Sequence, residues 1–163
     1  MTKRLFLPAM ALMAVGTLLF GVDPASAAGG HASFKATFSG SAVITSETTV
    51  SFSGSGSATH MGHITNDGNV VSTGSDDSCA GGVANVNTEV LTDNDGDTLT
   101  ITSQDVACPT GPGQYQGTGR WTVAGGTGRF DWATGQGLLD GTSDFTTDTF
   151  TITLTGTLAL LNG

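Results

Sequence analysis

Alternation of apolar and hydroxyl side chains with a period of two is what most limits how this chain can fold. In the closing stretch TFTITLTGTLAL, Phe150, Ile152, Leu154, Leu158 and Leu160 fall on even positions, with threonine on the odd ones through Thr157. Towards the other end, Phe34, Ala36, Phe38, Gly40, Ala42 and Ile44 alternate with Lys35, Thr37, Ser39 and Ser41. The pattern continues with Val50, Phe52, Gly54, Gly56 and Ala58 on one parity and Thr49, Ser51, Ser53, Ser55 and Ser57 on the other. Successive side chains of a strand point to opposite faces, so these segments predict strands with one buried face and one solvated Ser/Thr face. Beyond the N-terminal segment no comparable stretch has helical period.

Turn signals divide the strands: TNDGN at Thr65 to Asn69, TDNDGD at Thr92 to Asp97 and AGGTG at Ala124 to Gly128. Asp-Gly and Gly-Gly supply the positive φ that tight hairpins demand. The count is seven or eight strands, which means an antiparallel barrel or a sandwich. Glycines inside strands favour the barrel, since they let strands bend sharply or approach closely. The stretch TGSDDSCAGG, Thr73 to Gly82, reads as a long loop that joins Asp105 to Gly113 in a flap at one barrel end, the candidate mouth.

At the front, MTKR followed by the apolar run Leu5 to Val22 and the small residues Ala25-Ser26-Ala27 has the form of a secretory signal peptide. This predicts residues 1–27 as the signal, residues 28–163 as a single domain, and a secreted, extracellular protein. An uncleaved anchor is the rival reading. Cleavage after Ala28 instead would expose Gly29-Gly30-His31, whose amine, amides and imidazole form a square-planar Cu(II) or Ni(II) site. Removing residues 1–27 leaves Lys35, Arg120 and Arg129 against thirteen carboxylates. Nucleic acid and anionic lipid surfaces need clustered cations, so neither is an expected partner, and no membrane association is expected after cleavage.

Cys79 and Cys108, an even pair in a chain read as exported, flank a segment that reads as a β-hairpin, whose two open ends are neighbours. A disulfide between them is the expectation.

The stretch AGGTGRFDWATGQG, Ala124 to Gly137, raises the question of a phosphate loop. A phosphate loop needs a following helix and a lysine, and neither is here, so the glycines serve backbone geometry. Phe130 and Trp132 share a parity and are expected to face the core. In ATHMGHI, His60 shares the parity of Phe52 and Ala58 and is expected inside, with His63 outside. An H-x-x-H pair split between two strand faces cannot hold one ion. In DNDGD the glycine comes fourth where an EF-hand loop needs it sixth, so Asp93, Asp95 and Asp97 read as solvating a hairpin tip. Arg129, Asp131 and Arg120 read as surface ion-pair candidates. No metal, cofactor or catalytic set is recognisable.

GGTGRFDWATGQG, Gly125 to Gly137, resembles the GGTGRF signature of the allene oxide cyclase and dirigent-like β-barrels. GSGSATHMGHIT, Gly54 to Thr65, resembles a second segment common in exported bacterial proteins of that type, and DGDTLTIT, Asp95 to Thr102, resembles the family's middle hairpin. The resemblance implies an all-β, antiparallel, eight-stranded calycin-like barrel with an apolar interior, and related barrels often assemble as homo-oligomers. The plant members include a fatty-acid epoxide cyclase and proteins that steer phenoxy-radical coupling. The cyclase's catalytic glutamate and the dirigent acidic pocket residues match no position of this sequence, so enzymatic activity is not carried over.

Three functions follow as expectations: a barrel binding a small apolar or aromatic molecule, a non-catalytic envelope or interaction protein, and a cyclase or isomerase on the same scaffold. The first leads, with Phe38, Phe52, His60 and Trp121 as the candidate lining of the interior. A solid interior argues for the second, and an open cavity lined by a side chain capable of acid–base work argues for the third.

Overall fold

A computed structural model describes residues 31–160, so the expected signal segment, its expected cleavage site and Gly29-Gly30 of the alternative terminus lie outside the described residues. The chain forms eight strands: β1 (Ala32–Ile44), β2 (Thr49–Ala58), β3 (Gly62–Asp76), β4 (Gly82–Asp93), β5 (Thr98–Gly111), β6 (Gln114–Gly126), β7 (Thr134–Asp144) and β8 (Thr149–Ala159). Each pairs antiparallel with its sequence neighbours, and β8 returns to β1 to close a barrel. Closure leaves no unpaired sheet edge. The alternating segments set the register: Phe38 lies opposite Gly56 on β2 and Ile152 on β8, and Ala36 opposite Leu154, so the apolar parities of β1, β2 and β8 all face inward.

The two ends of the barrel differ. At one end Phe34, Trp121, Leu91, Leu99, Ile101, Leu154 and Leu158 fill the interior, and Met61, Phe130 and Ala133 from the connecting turns close it. Phe34 and Trp121 meet edge to face with ring centroids 5.3 Å apart, and Trp121 Nε1 donates to the Thr155 carbonyl at 3.2 Å. The other end carries the β1–β2, β3–β4, β5–β6 and β7–β8 turns and is open.

Glycines on the inward parity bring β1 and β2 close together. A Cβ on Gly40 would stand 2.0 Å from the Ser53 carbonyl oxygen, and one on Gly54 2.3 Å from that of Ser39, so only hydrogen fits between β1 and β2 there.

Several turn expectations are corrected. Thr65–Asn69 lies within β3, because Gly68 passes under Phe52, whose Cζ would be 2.4 Å from a Cβ there; the glycine serves packing, and the actual β2–β3 turn is Thr59–Met61. Half of Thr73–Gly82 and most of Asp105–Gly113 is strand, with a bulge between Ser72 and Gly74, so the flap is a pair of extended strand ends and the connection is only Asp77–Gly81. AGGTG ends β6, and the crossing to β7 is a 3-10 turn over Gly128–Phe130 followed by three more residues. Parity does not survive such a turn: Phe130 is fully buried, whereas Trp132, at φ +66°, is 73% exposed. The Thr92–Asp97 hairpin forms as read, with Gly96 at φ +86°.

Cys79 and Cys108 are joined in a disulfide that ties the β3–β4 turn to β5, with Cα atoms 6.0 Å apart. Closing a 29-residue separation contributes about 3–4 kcal/mol on a chain-entropy account. No helix among the described residues is long and apolar enough to cross a membrane.

Candidate functional site

The open end of the barrel holds a cavity of about 320 Å³. Its apolar wall comes from Val50 and Phe52 on β2, Leu139 on β7, Phe150 and Ile152 on β8, and Phe145 in the β7–β8 turn. Phe52 and Phe150 stack edge to face at 5.3 Å, as do Tyr115 and Phe145 at 5.8 Å. Gly117 and Gly141, paired across β6 and β7, supply room where side chains would otherwise stand. The nearest atoms a Cβ at Gly117 would meet are Asp105 Oδ2 at 3.2 Å and the Gly141 carbonyl oxygen at 3.9 Å.

The opposite wall carries a polar row beside Val70, Val83 and Ala107. Ser72 on β3, Asn85 and Asn87 on β4 and Asp105 on β5 all line the cavity. Ser72 Oγ donates to Asn85 Oδ1 at 3.1 Å, and Asn85 Nδ2 to Asp105 Oδ2 at 3.3 Å. Asn87 Nδ2 donates to Asp105 Oδ1 at 2.8 Å and to Ser103 Oγ at 3.0 Å. Because the carboxylate only accepts, the Asn87 amide must turn its nitrogen towards Asp105, which leaves its Oδ1 buried without a partner. Burial raises the Asp105 carboxyl above its ordinary range, and the two asparagine donors only partly offset this.

One inward position deeper on β4, Glu89 is 2% exposed and neither carboxyl oxygen has a hydrogen-bond partner. Burial pushes it up to about 8, so at neutral pH it is largely a neutral acid. Asn66 on β3 is likewise buried with both side-chain polar atoms unpaired. Among the described residues no lysine, arginine or histidine lines the cavity; Glu47 stands at its rim.

The residues expected from the sequence fall in three places. Phe52 lines the cavity. Phe38 and Trp121 point inward but lie in the packed part, Phe38 with its ring 6.3 Å from that of Phe150. His60 is not interior: β2 ends at Ala58, His60 takes a left-handed φ of +68° in the turn and is exposed, and Met61 is the residue that turns in. His63 is exposed, as its parity predicts.

The acidic hairpin and GGTGRF meet at the closed end. Asp93 does not solvate the tip; its side chain is wholly covered, and its Oδ1 accepts from the N–H groups of Asp95 at 2.9 Å and Asp97 at 3.0 Å. Its Oδ2 accepts from Arg129 Nη2. Burial raises the Asp93 carboxyl, but these donors together outweigh it and hold the group below its ordinary range. Asp97 accepts from the Arg129 N–H at 3.1 Å, and the guanidinium lies over the Phe130 ring, 5.1 Å from its centroid. Arg129 therefore pairs with Asp93 and Asp97, and no ion pair among the described residues includes Arg120 or Asp131. No group of three or more His, Cys, Asp or Glu among the described residues is arranged to hold a metal ion.

No protein-family model matches the chain, and a search of curated proteins returns no match. The architecture itself is that of a closed, eight-stranded antiparallel barrel.

Asn85, Asn87 and Asp105 escape a reading by hydropathy because β4 alternates the wrong way for it. In ANVNTEVL the valines and asparagines occupy opposite faces, and the structure turns Val86 out at 40% exposure and the asparagines in. Leu91, Leu99 and Ile101, fully buried at the closed end, hold that parity. The available signal was continuity: Leu91 shares its face with Glu89, Asn87 and Asn85.

Proposed function

We propose that this chain is an exported barrel, of the allene oxide cyclase and dirigent-like type its GGTGRF segment resembles, that binds one small apolar or aromatic molecule in the cavity at its disulfide-bearing end. The observation that carries this reading is the 320 Å³ cavity with Phe52, Phe150 and Phe145 on one wall and a short polar row on the other. That is the composition of small-ligand sites, at the lower end of their usual size. A barrel serving only as an interaction scaffold has no need to leave a cavity of this size in its interior, since unfilled core volume is destabilising. The disulfide supports export to an oxidising compartment.

A second reading has its own support: Asp105, a group capable of proton transfer, lines the open cavity, which is what an isomerase or cyclase would require.

Native mass spectrometry of the protein exported from the full chain, incubated with 2-phenylethanol, tests the binding reading. One bound molecule per chain is expected, and at least tenfold weaker binding by Gly117→Val, whose side chain enters the cavity. Equal binding by the two proteins contradicts it.

A further inference from the structure

The polar wall of the cavity presents one carboxylate that no cation answers and one amide oxygen that no donor answers. Asp105 carries a carboxylate whose Oδ2 lies over Gly117, at the cavity surface. It receives two neutral amide donors and no cation. Beside it Asn87, 6% exposed and itself a lining residue, holds its Oδ1 without a donor, because its nitrogen is committed to Asp105 and Ser103. Buried acceptors left unpaired are destabilising, and buried carboxylates are ordinarily paired with a cation.

Among the described residues no lysine or arginine stands at this wall. Lys35 and Arg120 are exposed on the outer face of the barrel, and Arg129 is engaged with Asp93 and Asp97 at the closed end. We propose that the ligand brings the cation: the cavity takes a small primary amine, with the ammonium group donating to Asp105 and Asn87 Oδ1 and an aromatic or branched apolar body against Phe52, Phe150 and Phe145. This rests on the cavity being a ligand site and names the ligand's chemistry. An ammonium has three donors and no acceptor, which complements a wall that at Asp105 and Asn87 offers only acceptors. A neutral alcohol can give one hydrogen bond and leaves the carboxylate uncompensated. A carboxylate ligand meets like charge at Asp105, so the same wall excludes it.

The test compares three ligands of nearly one shape, phenethylamine, 2-phenylethanol and 3-phenylpropionate, by calorimetry at pH 7 on the protein exported from the full chain. The amine is expected to bind at least tenfold more tightly than the alcohol, with no measurable binding of the carboxylate. In Asp105→Asn the amine's advantage over the alcohol is expected to shrink to threefold or less. Alcohol affinity equal to or above that of the amine, or binding of the carboxylate, overturns the amine assignment while the binding cavity stands. Failure of all three ligands overturns both. An Asp105→Asn protein that folds and keeps the tenfold preference overturns the role given to Asp105. Should that variant not fold, the ranking on the unmodified protein still decides.

Discussion

Glu89 sits in the barrel wall with no charged neighbour in register: Asn87 and Leu91 flank it inward on β4, Gly68 lies opposite on β3 and Ile101 on β5. Its raised pKa makes stability depend on pH. Below about pH 4.3 the group is protonated both folded and unfolded. From there up to about 8 the unfolded chain ionises and the folded one does not, so the folded state binds more protons and stability falls as pH rises. The slope reaches about 1.4 kcal/mol per pH unit inside that window. Asp105 acts in the same sense, while Asp76, Asp93 and Asp144, all lowered, act at pH values below the window. Melting temperature is expected to drop between pH 5 and pH 8.5, and Glu89→Gln to flatten most of that drop; parallel profiles for the two proteins contradict the assignment. At this scale the sequence was unevenly informative. Phe52 could be placed because its strand alternates cleanly. His60 could not, because one left-handed residue after Ala58 ends the parity that had pointed it inward.

Among the elements, the β6–β7 connection shows what the glycine-rich signature does. Gly126 lets the chain fold back, since a Cβ there would stand 2.4 Å from the Phe130 carbonyl oxygen, and Gly128 adopts φ +58° against the Asp97 carboxylate. Together they lower Phe130 into the barrel end as a plug while Arg129 ties the β4–β5 hairpin to it. Phe130→Ala is expected to destabilise by about 3–5 kcal/mol, read as a lower urea midpoint at unchanged slope. Trp132→Ala, two residues on but exposed, is expected to stay within about 0.5 kcal/mol. Equal effects would contradict the plug. Turn chemistry was legible where a turn residue is needed for φ, as at Gly96. It misled at Gly68, where the glycine makes way for Phe52 and the strand runs straight through.

For the whole molecule, two opposing ends account for both stability and site. One end is a packed core sealed by Met61, Phe130 and Ala133; the other, braced by the disulfide, keeps a cavity open. The barrel and the disulfide were readable because alternation and an even cysteine pair are long-range signals that survive local errors in turns. The end of the barrel that carries the cavity was also indicated, but its polar wall was not, because that depends on which way β4 faces, and closure of the barrel settles that. The most direct test is to follow backbone amide resonances of the protein on titration with phenethylamine. Shifts confined to the open end, centred on Asn85, Asn87, Asp105 and Phe150 and sparing Phe34 and Trp121, are predicted. Shifts only at outward-facing positions, or none at saturating ligand, would contradict a binding cavity in this barrel.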